Sequence, residues 1–177
     1  KPATALVNLE QPVSIPVNFG ECHFETEMAV LIAEPLTCCT EQQAASAIAG
    51  VAVALDLTLR ELQSALKEKS LPWEKAKAFD GACPISAFTS LQHIADLQNQ
   101  QIQLCQNDVL QQDGNSADML TPVLPLLAYI SQFFTLTPGD IVLTGTPAGV
   151  GPLAAGDSLD ISLGDIINVQ TKVVGRD

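Results

Sequence analysis

The sharpest chemistry in this chain sits in a five-residue stretch, His23-Phe-Glu25-Thr-Glu27. On an extended strand alternate side chains leave the same face. His23, Glu25 and Glu27 would then project together, just ahead of an apolar run over residues 28–33 that reads as a strand. Two carboxylates at this spacing repel unless a cation or hydrogen-bond donors hold them. A hard divalent ion with oxygen ligands does so well. The same letters also suit a solvent-facing strand with an incidental charge pair. Asp56 is the second feature. It follows the apolar segment VAVAL and is followed by Arg60 at i+4 and Gln63 at i+7, so a strand end and a helix face would deliver an acid, a cation and an amide. A plain helix-surface ion pair is the simpler account. Lys77 lies in a loop with Trp73, Phe79 and Asp80, where it either faces water or stabilises an oxyanion. The glycine-rich stretch LTGTPAGVG, residues 143–151, lets backbone amides approach a ligand. It is neither a Walker loop nor a dinucleotide fingerprint.

These residues need elements to hold them. Residues 1–20 carry three prolines and read as an extended entry. Thr40 caps a short helix over residues 41–48, ended by Gly50, and residues 51–57 form a buried strand. Thr58 and Glu61 have the spacing of a capping box at the start of a second helix, with Leu59, Leu62 and Leu66 on one face. Residues 70–84 read as a loop. Residues 101–112 form a hairpin around Asn107 and Asp108. Thr121 and Pro122 open a helix that runs to about Phe134. Pro138, Gly139 and Asp140 turn the chain into strands at residues 141–144, 159–163 and 167–174. Short strands outnumber helices and do not alternate with them, so the expected class is mixed α+β, mostly β.

The 177 residues, 47% hydrophobic and 16% charged, suit one globular domain with a real core. Eight Lys and Arg against 20 Asp and Glu give a net charge of -12, which argues against nucleic acid and anionic membranes as partners. No apolar run is long enough to span a bilayer. Five cysteines, an odd number with no CxxC spacing, argue for free thiols in a reducing cytoplasm.

In this order the pieces resemble one family. HFETEMAVLIAE, VALDLTLRELQ, PWEKAKAFDGACPISAF, DGNSADM and LTPGDIVLTGTPAGVGPLAAGD are similar to segments of the fumarylacetoacetate hydrolase superfamily, above all its small bacterial and mitochondrial members. The likeness runs from Lys1 to about Val174. The resemblance implies a β-roll of mixed sheets flanked by a few helices, and a homodimer. It implies metal ligands at Glu25, Glu27 and Asp56, with His23 outside the ligand set. It also implies substrate contacts from Arg60, Gln63, Lys77 and Thr146, with Lys77 the catalytic residue. The implied ion is Mg2+, with Mn2+ or Ca2+ as substitutes. The implied activity is metal-dependent chemistry on short 2-oxo acids through a metal-bound enolate, first of all hydrolysis of an acylpyruvate to pyruvate. The alternatives are oxaloacetate tautomerisation or decarboxylation, an isomerase of the 2-hydroxyhepta-2,4-diene-1,7-dioate type, and a non-catalytic metal-binding module.

The sequence departs from the family pattern in places. Small members carry a lid segment with a Tyr and a His-x-x-Glu pair ahead of the Lys-Pro, so residues 1–177 are expected to form a single catalytic domain without that lid. Ala33 replaces a common glycine, Glu61 a common aspartate, and Asn107-Asp108 the usual Asn-Gly turn, with Leu110 where an Arg is usual. A non-haem iron site built on His23 and Glu25 would need a second histidine, and only His93 is left for it.

Overall fold

A computed structural model describes residues 1–177. Thirteen strands and three α-helices follow one another as β1 (Leu6–Asn8), β2 (Val13–Pro16), β3 (Cys22–Phe24), β4 (Thr26–Ile32), α1 (Glu41–Ser46), β5 (Ile48–Leu55), β6 (Thr58–Leu59), α2 (Arg60–Glu68), β7 (Cys83–Ile85), β8 (Gln101–Gln106), β9 (Val109–Asn115), α3 (Val123–Ile130), β10 (Ile141–Leu143), β11 (Gly151–Leu153), β12 (Ser158–Leu163) and β13 (Ile167–Arg176). The strands form two five-stranded sheets, β1-β7-β5-β4-β10 and β2-β13-β12-β8-β9, and a three-stranded sheet, β11-β3-β6. Both large sheets are mixed, because β1 runs parallel to β7 and β2 parallel to β13. The mostly β, mixed α+β class expected from the sequence is the one observed. No helix is long and apolar enough to cross a membrane.

The central strands β4 and β5 explain where the core sits. Both are interior, so both faces are covered and the sequence runs nearly unbroken in apolar residues. The faces differ in size. Met28, Val30 and Ile32 of β4 and Val51, Val53 and Leu55 of β5 enter the main core. Ala29, Ala52 and Ala54 point the other way, into a thin layer with Ala5, Ala82 and Cys83. Alternation at period two puts Glu27 and Asp56 in step with the alanine side. Small side chains there leave room for charged groups.

Several local expectations change. The stretch from His23 to Glu27 is not one strand. It splits between the small sheet and a large one at Glu25, and His23 turns away to meet Glu21. The helix after Thr40 stops at Ser46 although its capping box is present, and the next strand begins at Ile48. Gly50 therefore ends no helix but lies inside β5, where a Cβ would sit 2.5 Å from the Thr89 carbonyl oxygen. The Thr58–Glu61 capping box does not form. Thr58 is on strand β6, α2 starts at Arg60, and no side chain caps it. The 70–84 loop holds a single 3-10 turn at Glu74–Ala76 before β7. Residues 1–20 form a 3-10 turn and two short strands. The third helix is shorter than expected, and Pro122, extended, sits just before it. The free amide of Val123 donates to Gln98 Oε1 at 2.8 Å, so a side chain from elsewhere takes the place of a Thr121 cap. The hairpin forms where expected, with Asn107 and Asp108 both at positive φ (52° and 64°), the conformation of a two-residue type I′ turn. β11 starts on Gly151, the last residue of the glycine-rich stretch, where the sequence shows no strand pattern.

Candidate active site

The antiparallel register of β4 and β5 builds the acidic centre. Thr26 pairs with Leu55 and Glu27 with Ala54. The ladder reaches one step further, since the Asp56 amide donates to the Glu25 carbonyl at 2.8 Å. Glu25, Glu27 and Asp56 thereby converge, each offering a carboxylate oxygen within 4.8 Å of the others. Burial alone would make such a cluster prohibitive.

Three cations of the chain answer it. Lys77 Nζ lies 2.8 Å from Glu25 Oε2 and 2.6 Å from Asp56 Oδ2, bridging two of the three acids. Arg60 Nη2 donates to Glu25 Oε1 at 2.9 Å and its Nη1 to Gln63 Oε1 at 3.3 Å, so the first turn of α2 aims both residues at the site. Lys1 Nζ lies 2.6 Å from Asp56 Oδ1 and donates to the carbonyls of Leu57 and Lys77. These are the only ion pairs between lysine or arginine and a carboxylate in the molecule.

Glu27 is treated differently. It is nearly buried and has no cation in contact; the Gly145 amide donates to its Oε2 at 2.5 Å. Burial pushes its carboxyl up to about 7, helped by the neighbouring charges of Asp56 and Glu25 and opposed by the Gly145 amide and Lys77. Gly145 has φ +96°, a conformation open to glycine, and this turns its amide onto the carboxylate. Thr146 follows directly.

The donor set fits a hard divalent ion. All three side chains are carboxylates, they are close enough to share one ion, and Asp56 Oδ1 is buried beside Lys1 without an aligned hydrogen-bond donor. His23 stays out of the cluster, its Nε2 3.0 Å from Glu21 Oε2. With one imidazole turned away and His93, on the 3-10 turn Leu91–His93, outside the cluster, the non-haem iron arrangement does not form.

Glu25, Glu27, Asp56, Arg60 and Lys77 thus stand together. Gln63 touches Arg60, and Thr146 is one residue beyond the amide on Glu27. Two contributors escaped the sequence reading. Lys1 has no pattern around it to mark it. Thr58, read as a helix cap, instead places its hydroxyl proton between Glu25 Oε1 (3.1 Å) and the Asp56 carbonyl (3.3 Å). A threonine two residues after a strand-end aspartate was the available signal.

Comparison with known proteins gives the chain a family. The family model described as Fumarylacetoacetate (FAA) hydrolase C-terminal matches residues 1–174. Oxaloacetate tautomerase YcgM of Escherichia coli (strain K12) is 52% identical over 163 residues, which cover 92% of this chain and 74% of that protein. A fumarylacetoacetate hydrolase family protein from Yersinia pestis CO92 superposes with a TM-score of 0.96 at 54% identity, over 98% of this chain and 82% of that one. Fumarylpyruvate hydrolase from Pseudomonas aeruginosa, solved in complex with Mn2+ and pyruvate, superposes with a TM-score of 0.93 at 30% identity, over 99% of this chain and 77% of that one. On the match along nearly its whole length, the chain belongs to the fumarylacetoacetate hydrolase family of enzymes.

Proposed function

We propose that the chain is a divalent-metal-dependent oxaloacetate tautomerase in which Lys77 is the catalytic residue. The observation that carries this reading is the Lys77 ammonium, held between Glu25 and Asp56 at the edge of the carboxylate cluster. Enol and keto oxaloacetate differ by one proton, on the C2 oxygen in one and on C3 in the other. Lys77 Nζ is suited to hold the negative charge that develops on the C2 oxygen as that proton moves. Arg60, anchored on Glu25 and braced by Gln63, offers its remaining guanidinium N–H groups to a substrate carboxylate. Thr146, one residue beyond the amide on Glu27, offers a hydroxyl. An ion held by Glu25, Glu27 and Asp56 would supply a Lewis acid for the 2-oxo group. Mg2+ is the ion we favour, with Mn2+ or Ca2+ as substitutes, because the donors are all hard oxygens.

The relatives reverse the order of activities expected from the sequence. YcgM, 52% identical, is an oxaloacetate tautomerase, which favours tautomerisation over acylpyruvate hydrolysis. Hydrolysis stays as the second reading, supported by the fumarylpyruvate hydrolase solved with Mn2+ and pyruvate. We further propose a cytoplasmic homodimer. Five free cysteines suit a reducing compartment. Leu120, Tyr129, Phe133 and Phe134 are exposed in a stretch, residues 119–139, without a single charge, where two copies of an acidic chain can meet.

The test is the decay of enol-oxaloacetate absorbance with and without Mg2+, for the chain and for Glu25→Ala, with pyruvate release from acetylpyruvate alongside. Mg2+-dependent ketonisation that disappears in the variant is the expected result. Pyruvate release from acetylpyruvate without ketonisation would move the assignment to the hydrolase.

A further inference from the structure

The loop that carries Thr146 is seated on β9. Gly149 has φ +96°, and a Cβ there would lie 2.0 Å from the Gln111 carbonyl oxygen. A Cβ on Gly114 would lie 2.4 Å from Pro147 Cβ. Between these two close approaches lies the side chain of Gln112, fully buried. Its Oε1 accepts from the Thr26 amide at 3.0 Å, and its Nε2 donates to Thr146 Oγ1 at 2.8 Å and to the Pro147 carbonyl at 2.9 Å. One buried amide therefore ties the Thr146 loop to the backbone between the two carboxylates Glu25 and Glu27.

The orientation of that amide is determined by its partners. The Thr26 N–H can only donate and the Pro147 carbonyl can only accept. A flipped amide would set donor against donor and acceptor against acceptor. Nε2 must then face Thr146, and the Thr146 hydroxyl must accept. A hydroxyl has one proton, so accepting from Gln112 leaves that proton free for another acceptor. The chain itself offers none to it.

We propose that Gln112 is a positioning residue: by donating to Thr146 Oγ1 from a buried, fixed amide, it turns the Thr146 hydroxyl into an outward donor for an anionic oxygen of the bound 2-oxo acid. This rests on the functional reading above and adds to it the residue that sets the polarity of the Thr146 hydroxyl.

A double-mutant cycle on pyruvate binding to the Mn2+-loaded chain, read by calorimetry, tests it. Gln112→Glu keeps the acceptor for Thr26 but, when ionised, offers only oxygens to Thr146 and Pro147, so it captures the hydroxyl proton. Gln112→Glu and Thr146→Val should each weaken pyruvate binding about 10-fold, the order expected for one hydrogen bond to a charged group. The double variant should bind no worse than either, since without the hydroxyl there is no proton to misdirect. Mn2+ affinity should not fall in any of the variants. Gln112→Met, which introduces no charge and removes the donor to Thr146, provides the comparison if the glutamate stays protonated or prevents folding. Additive losses of about 100-fold in the double variant would overturn the proposal, because Gln112 would then act independently of Thr146. So would loss of Mn2+ affinity in step with pyruvate, the sign of a merely structural role. Oxaloacetate turnover by the unaltered chain separates the two layers. An active chain with an additive cycle defeats this inference alone, and a chain that neither turns over oxaloacetate nor binds pyruvate defeats the functional reading and this inference with it.

Discussion

Two regions of this acidic molecule keep carboxylates by opposite means. On the outer face of the β2-β13-β12-β8-β9 sheet, Asp113 accepts from Gln101 and Gln103, and Asp160 accepts from Asn168 and Gln170. Asp157, at the nearby turn, is served by Gln106, Asn107 and the Ala154 amide, and those hydrogen bonds hold its carboxyl below the usual range. Every donor there is neutral. At the Glu25–Asp56 centre the donors are Lys1, Arg60 and Lys77, three of the eight cationic side chains in a chain of net charge -12. Neutral amides suffice where water shares the load. Buried acids placed side by side need full charges, or a cation from outside. The acidity of the chain as a whole thus does not locate the site, whereas the place where its scarce cations gather does.

The same chemical change in both regions tests that contrast. Asp56→Asn removes one of three convergent carboxylates and leaves Lys1 and Lys77 with less to pair with. Mn2+ affinity measured by calorimetry should fall by about 100-fold or more, beyond the usual cost of losing a metal ligand's supporting partner. Lys77→Ala is expected to lower kcat for oxaloacetate ketonisation by about 10²–10³, as for removal of a donor to a developing oxyanion. Its Mn2+ affinity should not fall, because a competing positive charge leaves the carboxylates. A Lys77→Ala variant with wild-type kcat would remove the basis for the functional assignment.

Glu27 gives the pH dependence. Its carboxyl titrates near 7 in the folded chain instead of 4.5, so without an ion the folded state binds this proton more tightly than the unfolded one. The stability this contributes is complete below about 4.5 and is lost as pH rises through about 7. An ion reverses the preference, since it requires the carboxylate. Mn2+ affinity should therefore rise about tenfold per pH unit up to about 7 and level off above it, with one proton released per ion bound at pH 6. Glu27→Gln should flatten that profile. A pH-independent affinity between 5 and 7 would mean that Glu27 is not a ligand.

How much of this was legible in the sequence follows from range. The pairing of Glu25 with Glu27 could be read because strand alternation is local, and the Asn107–Asp108 hairpin because a two-residue turn is too. Convergence with Asp56 depended on the register of β4 against β5, a contact between residues about thirty positions apart, and came from family resemblance. Thr58 was misread because Thr-x-x-Glu is a genuine capping pattern, and the pull of the small sheet β11-β3-β6 outweighed it. His23 went astray for the related reason that the strand breaks at Glu25, where the chain passes from one sheet to another. Gln112 carried no signal at all: a glutamine on a hairpin strand looks like its exposed neighbours Gln101 and Gln111 until the loop from Thr144 folds over it. Long-range polar contacts of this kind have no periodicity to betray them.

Thr58→Val should have a smaller effect. It keeps the shape of the side chain in β6 but removes the proton shared between Glu25 Oε1 and the Asp56 carbonyl. Arg60 and Lys77 still hold Glu25, so the loss is of orientation and not of charge. Mn2+ affinity should fall about 10-fold, the lower end for a supporting hydrogen bond to a ligand, and the midpoint of thermal unfolding should hardly move.

Asp160→Asn should do least of all. The new amide retains one oxygen for Asn168 or Gln170 and turns an N–H toward the other, so one partly exposed hydrogen bond is lost and water is at hand to replace it. The change in stability should stay within about 0.5 kcal/mol, and Mn2+ affinity should be unaltered. The substitution is atom for atom that of Asp56→Asn, and the ratio of the two effects on ion binding measures how far the site differs from the rest of the acidic surface. If the two variants lost affinity equally, bound Mn2+ would be responding to net charge, and the convergence of Glu25, Glu27 and Asp56 would have no special standing.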